Sequence, residues 1–456
     1  MAHSNSGVSK GQGIRLFSWP GAGIFVCALA VGSALVWVGA APRILLTGVI
    51  GALGAGALLV YPEVALALYV VVGDVKGDDR VAALLPVDWT LAFGAVLLAG
   101  IVMNFLRRKP LLPLPGVYLV FVPLVALMAA SLLYTPAFGA GLEKLARFLT
   151  VTAIVIVAPF SVLGTPEAMK RFLAGFGAAA FAICAWSLAG LGGDARLVTP
   201  TDNTIGLGHI AAAAFLLIWL ACVPRWPFPR RICAYLLLAV PALALVGSGS
   251  RGSVVACGIV ILLSTFFDRR LWFDLACLAA VGVALSPFLN IPNAAVEYLV
   301  RPGGSRSLSA MLSFRSDLLA HGWALLQQHP LVGAGLAGFR YSSPNPVVYK
   351  WPHDIFLEIA CELGIPAALI AVAIFASALR EALRQLRDRS APHLLLSQFA
   401  AALLVTGVIN TLNTGDINSD RATWLFVSLV FVVRALRFHS AESRPGLLPV
   451  AGTSPA

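Results

Sequence analysis

Charged residues are scarce in this chain. Only 12% of its 456 residues are Asp, Glu, Lys or Arg, whereas 59% are hydrophobic and the mean hydropathy is +0.88. Soluble globular domains carry about 25% charged residues, so the composition excludes that class. Many apolar runs reach or approach the ~20 residues that a helix needs to cross a bilayer, and no series of ~10-residue segments with alternating polarity appears. We therefore predict an all-α, polytopic membrane protein.

Several sequence motifs for metal binding, nucleotide binding and catalysis are also missing. The seven cysteines contain no C-x-x-C pair, and the chain has no D-x-D pair for a divalent metal on a sugar nucleotide and no Walker-type loop. No Ser/His/Asp set has a spacing that alone would support nucleophilic catalysis. The sequence thus gives no support to a metal-dependent or nucleotide-fuelled mechanism, and we predict neither a metal nor a cofactor.

The apolar runs predict up to fourteen spans. Twelve is the alternative, because the run at 62–73 is short and could form one broken or re-entrant unit with its neighbour. The predicted spans are 21–41, 44–60, 62–73, 90–106, 115–133, 146–163, 170–191, 205–223, 232–247, 252–267, 271–288, 354–379, 396–412 and 422–438.

The basic clusters in short loops predict the orientation. With a cytoplasmic N-terminal segment at 1–20, fourteen crossings place Arg107 to Lys109, Lys170-Arg171, Arg230-Arg231 and Arg269-Arg270 inside. Residues 21–438 then form a single transmembrane domain, 289–352 becomes a long outer loop, and 439–456 becomes a disordered cytoplasmic tail.

Arginines nevertheless remain on the predicted outer side, against the orienting bias. Positive charge retained there asks for an anionic partner, and arginine suits bidentate contacts to phosphate or carboxylate. Besides Arg301, Arg306 and Arg340, these arginines are Arg147, Arg196, Arg251, Arg315 and Arg421.

Arg251 lies in the turn GSGSRG between two apolar runs. Small residues let a backbone approach a ligand closely, and amides at a helix start can hold an anion beside the guanidinium. The alternative is an exposed hairpin with a snorkelling arginine. A second polar cluster, Asp416, Asp420 and Arg421, could equally form a structural salt bridge or contact a substrate.

The long loop contains SFRSDLLAHGWALLQQHPLVGAGLAGF. Its middle predicts a short amphipathic helix on the membrane surface, with Leu318, Leu319, Trp323 and Leu326 on one face. Arg315 stands at the start of this helix.

The stretch KWPHDIFLEIACELG opens a span with titratable groups. Pro352 and Asp354 are helix-start signals, which places His353 at the outer mouth. A group that titrates near neutrality is suited to act as a general base. Glu358 and Glu362 share one helical face and are best explained as buried, partnered carboxylates.

In order along the chain, RLVTPTDNTIGLGHIAA, GSGSRG, the long-loop segment and PHDIFLEIACELGIPAALI resemble the O-antigen ligase and O-antigen polymerase superfamily of bacterial membrane glycosyltransferases. The resemblance is strongest over 190–380. Family members usually have Pro-His-Asn where this chain has Pro-His-Asp at 352–354, which puts any amide role at Asp354 in doubt.

The resemblance implies a GT-C type helical bundle in the bacterial inner membrane, with its site facing the periplasm. It implies an undecaprenyl-diphosphate-linked glycan as donor and, for a ligase, a sugar of the lipid A-core as acceptor. His353 would be the catalytic base, and Arg251 and Arg315, with Arg196, would hold the diphosphate. Arg147, Arg421 and Trp323 are further possible substrate contacts.

Three alternatives remain open. A polymerase would use the same donor chemistry with a second lipid-linked repeat as acceptor, and the residues named cannot separate it from a ligase. An anion transporter predicts polar groups at the bilayer midplane and an inverted repeat, and neither is evident. A structural scaffold would need none of the outer arginines.

Overall fold

The computed structural model describes residues 54–75, 88–109, 111–190, 196–200, 203–267, 271–285, 308–343, 345–346, 350–388 and 393–442. The predicted N-terminal segment 1–20, the span 21–41, most of the span 44–60, loop residues 289–307 and tail residues 443–456 lie outside the described residues.

Every regular element within those ranges is helical, which confirms the predicted all-α class. A 3₁₀ segment Val72–Asp74 extends α2, a 3₁₀ segment Gly116–Val120 leads into α4, and a π segment Phe148–Thr152 joins α5 to α6. The α-helices are α1 (Gly54–Val60), α2 (Pro62–Val71), α3 (Trp89–Leu106), α4 (Phe121–Ser131), α5 (Phe138–Arg147), α6 (Ala153–Val162), α7 (Pro166–Ser187), α8 (Thr204–Cys222), α9 (Phe228–Ser248), α10 (Arg251–Phe267), α11 (Leu271–Leu285), α12 (Leu308–Gln328), α13 (Gly338–Tyr341), α14 (Ile355–Arg387), α15 (Leu394–Thr414) and α16 (Arg421–Glu442).

Seven helices of the described chain are long and apolar enough to cross a membrane. The pair α1 and α2 would make an eighth span, and it bends by 117° at Tyr61, as a broken or re-entrant unit does. Shorter apolar helices lie at Gly116–Ser131, Arg251–Thr265 and Leu271–Ala280. These findings confirm a polytopic helical membrane bundle. The count of twelve to fourteen spans includes stretches outside the described residues and stays a prediction.

Two expectations need correction. The helix predicted as short in the long loop has 21 residues, because its apolar positions begin upstream at Leu308. The helix α16 runs to Glu442, so the first residues predicted as a disordered tail continue the last helix.

One end of the bundle collects the starts of α8, α10, α14 and α16, and we call it the polar end. Its elements meet in pairs: Gly208 of α8 lies against Ser250, and Gly252 of α10 lies against Asn413. Trp424 of α16 is fully buried, and its Nε1–H donates to the Ile417 carbonyl at 3.1 Å. This bond fixes the loop 415–420 over the core.

Two of the predicted basic clusters have buried acidic partners, while Arg269-Arg270 lies outside the described residues. Arg171 pairs with the buried Glu63, and Arg231 pairs with the buried Asp274 at 2.9 Å. These pairs join the start of α7 to α2 and the start of α9 to α11.

Gly364 interrupts α14. Its φ of 86° is left-handed, and the Ile365 N–H donates to the Pro330 carbonyl at 2.8 Å instead of continuing the helix. A Cβ at Gly364 would stand 2.2 Å from the Leu331 carbonyl oxygen. Only glycine fits this position.

The interruption leaves carbonyls that another segment uses. Pro366 has no N–H, so the Glu362 carbonyl lacks a helical partner and accepts from the Gly335 N–H at 2.9 Å. The Cys361 carbonyl accepts from Ala334 N–H at 2.8 Å. The H-P-L-x-G-x-G motif therefore docks its backbone on α14 at the interruption.

Candidate active site

Arg196 is held against the GSGSRG turn. Its Nε donates to the Ser248 carbonyl at 2.7 Å, while the Leu197 N–H donates to the Gly247 carbonyl at 2.8 Å. Gly249 has a left-handed φ of 65°, and a Cβ there would lie 2.8 Å from Arg196 Nε. Glycine therefore lets the guanidinium lie flat on the turn.

The same turn opens α10, and Arg251 is its first residue. Ser250 Oγ and Ser253 Oγ are 3.0 Å apart, and Ser253 Oγ donates to Asn410 Oδ1 at 3.3 Å. These bonds hold the helix start against α15. A helix N-terminus carries partial positive charge, so Arg196, Arg251 and the α10 amides together form a cationic group suited to an anion.

Arg421 also lies at the polar end, but against protein groups. Its guanidinium carbon is 5.8 Å from the centre of the Tyr69 ring, and its Nη2 stands where a Cβ of Gly73 would be. Asp74 lies between this arginine and the start of α8, since its Oδ1 is close to Gly206. Arg421 thus lies against protein groups, and its role as a salt-bridge partner or a substrate contact stays a prediction.

His353 has an unusual backbone. Its φ is 61°, a left-handed value that is uncommon for a residue other than glycine. Asp354 then caps α14, because its Oδ1 accepts from the N–H groups of Phe356 at 2.8 Å and Leu357 at 3.0 Å. Burial raises the pKa of Asp354, and these two hydrogen bonds act in the opposite direction. The predicted helix start is confirmed in this geometry.

The indole of Trp351 contacts His353. Trp351 Nε1–H donates to His353 Nδ1 at 3.2 Å, with the ring planes at 70° and the ring centres 5.7 Å apart. Both side chains are half-buried. The imidazole is thus oriented by an aromatic neighbour two residues earlier in the chain.

Arg315 is placed by the packing of α12 on α14. Gly322 of α12 lies against Leu357, where a Cβ would meet that side chain at 3.1 Å. Since Gly322 lies against Leu357 and Pro330, just after the helix, contacts Ile365, α12 runs in the same direction as α14. Arg315 is exposed and stands two turns, or roughly 10 Å, before Gly322. Arg315 therefore lies at the end of α12 that is nearest the start of α14.

The predicted apolar face of α12 is only half right. Leu318 and Leu326 are buried, whereas Leu319 and Trp323 are exposed, the latter at 57%. The helix packs on α14 through Leu318 and the residues one and two turns after it. Leu319 and Trp323 therefore lie on a different face. Trp323 as a substrate contact stays a prediction.

Arg147 has its ion-pair partner within its own helix, and its role as a substrate contact stays a prediction. It is exposed on α5 and forms an ion pair with Glu143 at 2.5 Å, one helical turn away. Exposed pairs of this kind contribute little to stability.

Lys144 lies on α5, three residues before Arg147, and sequence reasoning missed it. Its Nζ lies 2.5 Å from Glu358 Oε1 and 2.6 Å from Glu362 Oε2, and the two glutamates are only 2% and 3% exposed. This lysine is the partner that the sequence required for the two carboxylates. A search of the outer edges for lysine as well as arginine would have found it.

The loop 415–420 joins this network. The Ile417 N–H donates to Glu358 Oε2 at 3.0 Å, and Asn418 Nδ2 donates to the Lys144 carbonyl at 3.0 Å. Asp420 is 8% exposed, and its Oδ2 has no hydrogen-bond partner within the described residues. Burial, and then the charges of Asp416 and Glu358, raise the pKa of Asp420 well above its usual value.

A cleft of about 440 Å³ lies beside α12. Its hydrogen-bonding lining comes from Tyr134, His321, Gln328, His329 and Ser342. His321 Nε2 is 3.1 Å from the Phe339 carbonyl, so it already has a partner. Across the described ranges, no group of three or more His, Cys, Asp or Glu side chains could hold a metal ion.

This arrangement defines a polytopic helical membrane protein with a cationic polar end and a histidine at a span entrance. Residues 234–372 match the family described as O-antigen ligase, which confirms the resemblance over that part of the chain. The match supports a membrane glycosyltransferase of the ligase or polymerase type. A search of curated proteins gives no match.

The matched segment runs from α9 into α14 and includes Arg251, Arg315 and His353. Arg196, Arg147, Arg421 and Lys144 lie outside it. Their placement therefore comes from the structure alone.

Proposed function

We propose that this protein is an O-antigen ligase that transfers a glycan from undecaprenyl diphosphate to a sugar hydroxyl of the lipid A-core. The observation that carries the proposal is the contact of Arg196 with the turn that presents Arg251 at the start of α10. Two guanidinium groups and a helix N-terminus at one turn suit a diphosphate. The family match over 234–372 supports the same class of enzyme.

In the proposed reaction, His353 takes the proton of the acceptor hydroxyl as the oxygen attacks the anomeric carbon. The bond between that carbon and the diphosphate oxygen breaks, and the leaving diphosphate keeps the electron pair. Direct displacement inverts the anomeric configuration. Arg196, Arg251 and Arg315 stabilise the negative charge that develops on the diphosphate, as preorganised donors do.

The proposal also assigns the polar end to the periplasm of the bacterial inner membrane. The basic clusters at the starts of α7 and α9 favour a cytoplasmic position. The polyprenyl chain of the donor would lie against the apolar helix surfaces, and α12 with its loop would cover the sugars.

The test uses purified protein with lipid-linked polysaccharide and rough lipopolysaccharide, which lacks O-antigen. We expect a ladder of capped lipopolysaccharide that depends on both substrates and survives chelation of divalent metals. The polymerase alternative predicts longer chains from the lipid-linked donor alone. A ladder in the absence of lipopolysaccharide would therefore exclude the ligase.

A further inference from the structure

The hydrogen bond between Trp351 and His353 determines the form of the imidazole. An indole N–H can only donate, so His353 Nδ1, at 3.2 Å from Trp351 Nε1, must present its lone pair. In a neutral imidazole with an unprotonated Nδ1, the proton is on Nε2. The ring is thus held as the Nε2–H tautomer.

We propose that Trp351 is a positioning residue that makes Nδ1 the basic nitrogen of His353, and that the acceptor hydroxyl replaces the indole N–H at this nitrogen. The inference rests on the proposed function, in which His353 is the base. It adds that Nδ1 is the nitrogen that accepts the proton and that Trp351 is the residue that positions the ring.

The surrounding backbone supports a fixed ring. Pro352 is buried, His353 has a left-handed φ of 61°, and Asp354 is tied to two amides of α14. Such a sparsely populated backbone conformation persists only where the surrounding structure holds it, and it concentrates at functional sites. With the backbone fixed on both sides, the side-chain bond to Trp351 sets the direction in which Nδ1 points.

The exchange is chemically balanced. The indole N–H and a sugar O–H are both donors, so the acceptor hydroxyl can take the indole's place without a change of tautomer. Nδ1 then receives the hydroxyl proton as the new glycosidic bond forms, and the imidazolium carries protons on both nitrogens. The diphosphate leaves with the electron pair of the broken bond, and the proton on Nδ1 passes to solvent afterwards.

The inference predicts a shift in pH dependence. The bond from Trp351 stabilises neutral His353, because an imidazolium cannot accept at Nδ1. A Trp351→Phe variant loses this bond, so the pKa of His353 should rise. Since the base must be neutral, the acid limb of the kcat/KM profile should move to higher pH, by about half to one unit for one hydrogen bond.

Other charges near this region stay the same in the variant and cancel in the comparison. Lys350 and Asp354 precede α14, and Glu358 lies on it. The elements packed around its start contribute Arg315 and Asp317 from α12, Lys144 from α5, and Asp416 and Asp420 from the loop 415–420.

The experiment compares kcat/KM profiles of the wild type, Trp351→Phe and the matched control Trp272→Phe, an exposed residue of α11. We expect an upward shift in Trp351→Phe alone. An acid limb that coincides with the wild type, or moves down, would overturn the inference. A wild type without transfer at any pH would instead contradict the proposed function.

A second measurement does not depend on activity. In ¹⁵N-histidine-labelled protein, the His353 resonances can be assigned by their loss in His353→Gln. We expect the Nε2–H tautomer in the wild type and a higher titration midpoint in Trp351→Phe. A Nδ1–H tautomer, or an unchanged midpoint, would refute the role of Trp351 whatever reaction the protein catalyses.

Discussion

An Arg251→Ala variant should lose glycan transfer by about 10²–10³-fold, the usual cost of removing one preorganised donor from a developing negative charge. Arg251 is the first residue of α10. Arg196 is held on the preceding turn by its bond to the Ser248 carbonyl, so it does not take the place of the Arg251 guanidinium. Arg251→Lys should retain part of the activity, because it keeps the charge but not the fork of N–H groups. Capping of lipopolysaccharide in a strain without the native protein measures the effect.

The matched control is Arg230→Ala, an exposed arginine at the opposite end of the bundle. We expect it to transfer glycan normally. Normal capping by Arg251→Ala, with protein present at the wild-type level, would remove this residue from the diphosphate site.

A Lys144→Met variant should be strongly destabilised. It would leave Glu358 and Glu362 buried without their cation, and breaking a buried ion pair in this way costs about 3–5 kcal/mol. Because Lys144 also joins α5 to α14 and the loop 415–420, transfer activity should fall with stability. Thermal unfolding of the protein in detergent measures the loss.

Two further variants separate charge from packing. The triple variant Lys144→Met, Glu358→Gln, Glu362→Gln removes all three charges and should recover much of the lost stability. Lys170 is half-exposed, and its Nζ lies 3.5 Å from Glu167 Oε1. Lys170→Met is therefore the control, and it should unfold at nearly the same temperature as the wild type. If the triple variant unfolds as early as Lys144→Met, the two unpaired carboxylates are not the cause.

The sequence predicted helix positions well because each span is a long apolar run closed by polar residues. The span 205–223 corresponds to α8 at Thr204–Cys222, and 396–412 corresponds to α15 at Leu394–Thr414. The start of α14 was also predictable, since Asp354 is a capping residue with local contacts. Such signals require no knowledge of which helices are neighbours.

Contacts between distant segments could not be predicted in this way. Lys144 forms ion pairs with glutamates more than two hundred positions later in the chain. The glycines of the H-P-L-x-G-x-G motif are explained only by their contact with the interruption of α14 at Gly364. The predicted face of α12 wrongly grouped Leu319 and Trp323 with the buried Leu318 and Leu326, because periodicity alone does not say which of two adjacent positions faces a partner helix. The contacts of Arg421 with Tyr69 and Gly73 likewise join segments that lie far apart in the chain.

The most direct measurement is lipopolysaccharide capping by a His353→Ala variant in a strain that lacks the native protein, with membrane levels of the variant matched to the wild type. If the polar end transfers glycan with His353 as its base, the strain should accumulate uncapped lipopolysaccharide while lipid-linked glycan persists. Capping at the wild-type level would contradict His353 as the base and, with it, the proposed site.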